Sequence, residues 1–89
     1  MAAAAGGDPV LLAELRDAYR ESVARQIDLL SRARCDGNWE LAANRLKGLA
    51  ASFHSDSLRL LAEEALDSAP GDPAVVRRLA AYIDGFPEA

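Results

Sequence analysis

The chain has 89 residues, 51% of them hydrophobic but only 6% aromatic, so a single modest core has to be built mainly from Leu, Ala, Val and Ile, which favours helix packed on helix. Ten Lys and Arg face fourteen Asp and Glu, a net charge of -4. That balance speaks against a nucleic-acid grip, which needs a dense basic patch to displace counterions from phosphates, and equally against an anionic membrane surface.

The opening "MAAAAGG" has no positive leading region and is too short to serve as a signal peptide, so residues 1-7 read as a frayed tail ahead of a domain over 8-89. No later stretch stays apolar long enough to cross a bilayer, which makes a cytoplasmic protein the simplest expectation. In "GDPVLLAELRDAYRESVARQIDLLSRARCDG", Asp8 is an N-cap and Pro9 takes the first helical position, where its missing N–H costs nothing. Leu11, Leu15, Tyr19 or Ala18, Val23, Ile27 and Leu30 recur every three to four residues and form one stripe. A helix over Pro9 to Arg34 follows, with Gly37 as its left-handed cap. Cys35 is the single cysteine, unable to form an internal disulfide, and reads as a small packing residue.

The second helix starts at Asn38 as N-cap, with Glu40 favoured by the helix dipole in the first turn. Ala42, Leu46, Leu49, Ala50 and Phe53 supply its buried stripe, and Trp39 closes one end of the core. A third helix begins at Ser55 or Asp56, buries Leu58, Leu61, Ala62, Ala65 and Leu66, and stops at Pro70 and Gly71. A fourth repeats the opening device with Asp72 and Pro73, buries Val76, Leu79, Ala80 and Ile83, and ends at Gly85. The predicted fold is all-α, an antiparallel up-down-up-down four-helix bundle, because short turns make sequence neighbours antiparallel.

The polar side of the second helix is unusual. At about 100° per residue, Lys47 lies roughly 60° to one side of Asn44 and Gly48 roughly 40° to the other, with Ala51 continuing the line and Arg45 alongside. Glycine inside a helix costs about 1 kcal/mol relative to alanine. Gly48 therefore points either to close packing against another helix of the bundle or to clearance for something that docks there.

"AANRLKGLAASF" resembles the signature helix of the histidine phosphotransfer (HPt) domain family, whose pattern is His-x-Leu-Lys-Gly followed by small residues and an aromatic. "GNWELAA" before it, and "LRLLAEEAL" and "GDPAVVRRL" after it, fall in the family's order, so the resemblance covers nearly the whole chain beyond the alanine tail. It implies an HPt-like bundle that docks on the receiver domain of a response regulator, or on the histidine kinase that feeds it. The family's histidine carries a phosphoryl group between aspartates of receivers. Here Asn44 holds that place, and an amide nitrogen, its lone pair given to the carbonyl, is no nucleophile.

The resemblance matches Lys47 to the lysine that balances phosphoryl charge and Gly48 to the glycine that leaves room for the modified ring and the docking receiver. The expectation is a non-catalytic regulator of a phosphorelay, a pseudo-HPt protein. Its partner-binding residues are Asn44, Arg45, Lys47, Gly48 and Ala51, with apolar residues of the first helix widening the contact. No catalytic residue, metal or cofactor is expected, nor any nucleic acid or membrane partner.

His54, the only histidine, falls at the junction with the third helix, where the family usually has glycine. Its imidazole is expected to bond the last carbonyls of the second helix. Adjacent Glu63 and Glu64 point in different directions and read as solvated. Asp67 has no His or Cys companion at ligand spacing, and Arg77 and Arg78 fall on the outer face of the last helix.

Two other readings stay open. In one the chain is a phosphotransfer protein whose acceptor histidine has been replaced at residue 44. In the other it is a helical adaptor or homodimer unrelated to phosphorelay, with Leu12, Leu60 and Val75 as exposed apolar contacts on a protein otherwise expected to be a monomer.

Overall fold

The computed structural model describes residues 8-86, so the expected tail over 1-7 lies outside the described residues. Four helices occur and no strand among them: α1 (Pro9–Ser31), α2 (Asp36–Ser52), α3 (Asp56–Asp67) and α4 (Pro73–Gly85). Three of the four starts follow from cap chemistry. The Asp8 carboxylate accepts from the backbone N–H of Val10 and Leu11 at 3.0 and 3.2 Å, Ser55 Oγ accepts from Leu58 at 3.2 Å, and Asp72 accepts from Ala74 at 2.9 Å.

The junction between α1 and α2 departs from expectation. α1 ends at Ser31 rather than Arg34, and α2 begins at Asp36, two residues before the expected cap Asn38. Gly37 lies in the first turn of α2 and is no left-handed cap. Cys35 precedes the helix in extended conformation and is exposed, so it packs nothing. Its carbonyl accepts the Trp39 N–H at 3.1 Å, starting α2 early enough to place Trp39 well inside a helix. Trp39 is 1% exposed, and its indole N–H donates to the Ala65 carbonyl of α3 at 2.7 Å. Burial of the largest side chain outweighs the local capping preference of asparagine.

α1 packs against α2 and α4, and α3 packs against the same two, so each helix has two neighbours and the four close a ring compatible with a four-helix bundle. Val23, Leu30, Leu46, Leu58, Ala62, Val75 and Leu79 meet inside it without solvent contact. Burying a Val or Leu side chain fully is worth about 1.5–3 kcal/mol, and this inner set is the main source of stability.

Several expected core positions sit elsewhere. Val75 is fully buried and Val76 only partly, the reverse of expectation, because α4 turns Val75, Leu79 and Ile83 inward at intervals of four. Phe53 falls just past the end of α2, leaves the stripe and is 45% exposed, its ring lying 4.4 Å from that of Tyr19. Leu15 is 46% exposed and Leu11 only partly buried, because the first buried residue of α1 is Tyr19. The start of α1 runs on past the other three helices, consistent with extents of 46 × 20 × 18 Å.

At that end, a hydroxyl chain fastens three helices. Tyr19 Oη lies 2.8 Å from Tyr82 Oη, which lies 3.1 Å from Ser55 Oγ. Burial above all, and then the hydrogen bond with Tyr82, raise the pKa of Tyr19 well above the ordinary tyrosine value.

Candidate docking face

Trp39, Ala42, Ala43, Leu46 and Ala50 hold one side of α2 in the core and so fix which side is left outside. That outer side carries Asn44, Arg45, Lys47, Gly48 and Ala51, all exposed. The five residues expected from sequence thus share one accessible surface. None of them is needed to fill the interior.

Gly48 has a specific geometry. A Cβ built there meets no atom within 4 Å, so no other helix of the bundle approaches it closely. Internal packing, the first of the two explanations for a mid-helix glycine, is thereby excluded. The glycine carries its helix penalty on an open surface.

The end of α2 is set by its backbone. Ser55 N–H donates to the Ala50 carbonyl at 2.9 Å and His54 N–H to Ala51 at 3.4 Å, with His54 in left-handed conformation at φ 56°. This is the Schellman arrangement that glycine ordinarily serves. The expected capping by the imidazole is corrected: the main chain of His54 satisfies the carbonyls, and its ring makes none of the side-chain hydrogen bonds of the described residues.

Charges flank the stripe unevenly. Lys47 Nζ lies 3.9 Å from Glu63 Oε2, and that carboxylate also takes Arg59 at 3.2 Å. Glu64 pairs with Arg78 across to α4. The adjacent glutamates do diverge, as expected, but both are half-buried and ion-paired rather than solvated. Pairs this exposed are worth under about 1 kcal/mol, so Lys47 is free to exchange Glu63 for another anion.

On the other side, Arg45 and Gly48 border α1. A hollow of about 440 Å³ there is lined by Ser22, Arg25, Gln26, Arg45, Gly48 and Leu49, among others. A second, of about 300 Å³, continues past Gln26 and Arg45 to Leu29, Arg32 and Leu41. The first helix does widen the surface, but with arginines, a serine and a glutamine; Leu29, 41% exposed, is its only large exposed apolar residue here.

Gln26 is the residue that sequence reasoning missed. Its side-chain oxygen is buried without a hydrogen-bond partner, between the two hollows. An acceptor left so is costly, by roughly 1–3 kcal/mol. Its spacing of three from Val23 placed it beside the core stripe, which was the available signal.

The amide of Asn44, exposed on this surface, is no nucleophile. No family model, curated protein or solved structure matches the chain.

Proposed function

We propose that this is a non-catalytic, HPt-like signalling protein of the cytoplasm. It docks through the outer side of α2 on the receiver domain of a response regulator, or on its histidine kinase, and modulates a phosphorelay without carrying phosphate. The observation that carries this reading is Gly48, a helix-interior glycine facing open space beside exposed Asn44 and Lys47. Clearance for a partner accounts for it where internal packing does not. The connections, residues 32-35, 53-55 and 68-72, are short enough to make sequence neighbours antiparallel, as the up-down-up-down form of the family requires.

In the proposed complex Lys47 leaves Glu63 for the acidic pocket of the receiver, Asn44 donates a hydrogen bond where a phosphoacceptor would stand, and Arg25 and Arg45 border the contact. The protein then competes with genuine phosphotransfer partners for the same receiver face. Binding to purified receiver domains, with and without a phosphoryl mimic, tests this against Lys47→Glu. Selective binding that falls at least tenfold in the variant is expected. Equal binding by the two proteins would refute the docking face.

The exposure of Asn44 also keeps the replaced-acceptor reading in play, because an imidazole fits there unhindered. Under that reading Asn44→His accepts phosphate from a phosphorylated receiver. A restored protein that binds receivers yet never becomes labelled would exclude it.

A further inference from the structure

The two hollows beside Arg45 form one groove between α1 and α2, and its charge is one-sided. Arg25 lines the first hollow, Arg32 the second and Arg45 both, whereas no Asp or Glu lines either. This occurs on a chain whose fourteen acidic residues outnumber its ten Lys and Arg. Arg25 and Arg45 are exposed and hold no ion pair among the described residues. Arg32 pairs with Asp28 at 2.8 Å, but both side chains are well exposed, and such a contact is worth under about 1 kcal/mol. The second hollow adds an apolar wall, in which Leu29 and Leu41 are 41% and 50% exposed beside Ala33 and Ala42.

We infer that this groove receives an acidic amphipathic helix of the partner protein, three carboxylates on one of its faces meeting the three arginines and a leucine between them seated at Leu29 and Leu41. The inference deepens the α2 docking reading, on which it rests for the identity of the partner. Spacing selects a helix. Arg25 and Arg32 stand seven residues apart on α1, about 10.5 Å along its axis, and Arg45, which lines both hollows, falls between them. Carboxylates at positions i, i+3 and i+7 of a helix cover the same rise on one face. Position i+4 shares that face and falls between the second and third carboxylates, level with the hollow that Leu29 and Leu41 border. In an extended strand the three carboxylates, at i, i+2 and i+4, would span about 13 Å and overshoot the arginines.

The chain itself supplies poorer occupants. Residues 1-7 carry no carboxylate, and 87-89 carry Glu88 alone. A second copy offers Glu14, Asp17 and Glu21 at the required spacing, but Ala18 where the leucine is wanted, which would leave Leu29 and Leu41 uncovered.

The probe is a synthetic helical peptide of about four turns with Glu at i, i+3 and i+7 and Leu at i+4. It is titrated into the full chain at low salt, without any receiver, and followed by fluorescence anisotropy. Saturable binding is expected. It should weaken at least tenfold with Arg25→Glu, with Arg45→Glu, with Gln in place of the peptide's Glu residues, and with a scrambled peptide whose Glu residues leave the common face. Arg77→Glu makes the same change of net charge at an exposed position of α4 and should leave binding unchanged. All three protein variants alter exposed residues and should keep wild-type helicity by circular dichroism. No binding, equal binding of the scrambled peptide, or a loss in Arg77→Glu as large as in the groove variants would overturn the inference. So would self-association of the chain in sedimentation equilibrium that Arg25→Glu abolishes, since the groove would then belong to a second copy. The assay holds no receiver, so failure here leaves the α2 docking reading to its own test with Lys47→Glu.

Discussion

Gly48 allows the sharpest test because one substitution separates the two reasons a helix can hold a glycine. Alanine at 48 adds a methyl group where no atom lies within 4 Å, on an exposed turn of α2 whose backbone is helical on both sides. Alanine exceeds glycine in a helix interior by about 1 kcal/mol, chiefly because glycine gives up more backbone freedom on folding. With no clash to offset that gain, Gly48→Ala should stabilise the protein by about 1 kcal/mol, a rise of about 4–8 °C in Tm for a domain of this size. Thermal unfolding followed by circular dichroism reads it directly. A Tm below wild type would refute the reasoning, because it would mean that the backbone at 48 is approached from within the bundle. The larger Gly48→Arg should also fold, since its side chain leaves into solvent, yet lose receiver binding at least tenfold. Undiminished binding would remove clearance as the reason for the glycine.

Three further outcomes follow from the structure. His54→Gly puts the preferred residue at the left-handed position that ends α2 and should raise stability in urea by roughly 0.5–1 kcal/mol; a loss would show that the imidazole makes contacts of its own. Trp39→Phe removes the bond to the Ala65 carbonyl, which keeps the Ser68 N–H at 3.1 Å, so the cost should be about 2 kcal/mol, shared between the lost bond and lost ring volume. A cost under about 0.5 kcal/mol would mean that the indole does not bridge α2 and α3. The third concerns alkali: because the folded pKa of Tyr19 is raised, its contribution to stability is complete below the unfolded tyrosine value of about 10 and declines as pH climbs from there toward the folded value. Unfolding followed across this range should show a steeper loss in wild type than in Tyr19→Phe, and parallel curves would contradict the burial of that hydroxyl.

The helix starts and the outer side of α2 are written locally in the chain to different degrees than the core and the junctions. The caps at Asp8, Ser55 and Asp72 are local chemistry, in which a side chain bonds an N–H two or three residues away; sequence alone determined those at Asp8 and Asp72 and narrowed the third to Ser55 or Asp56. The outward stripe of Asn44, Arg45, Lys47, Gly48 and Ala51 was equally legible, because helical periodicity ties it to the opposite residues Leu46 and Ala50, which are buried. Periodicity failed where a helix has no neighbour or where two positions compete for one. Leu15 belongs to a perfect stripe yet stands in solvent, since α1 outruns the helices it packs on. Val75 and Val76 are chemically alike, and only the approach of α1 and α3 to α4 selected the first.

Tertiary structure also decided the start of α2. Local preference favoured Asn38 as cap, and the burial of Trp39 against α3 drew the helix back to Asp36. It made the two glutamates into ion-pair partners by bringing Lys47 and Arg78 from other helices, and it enclosed the oxygen of Gln26 between α1 and α2. Each of these depends on atoms far apart in the chain, whose energies no local pattern contains. Sequence by itself determined that there would be four amphipathic helices and which side of α2 would be free, because those follow from bonds and rotations within a few residues. What stands opposite each side chain, and which apolar surface was left uncovered, came from packing.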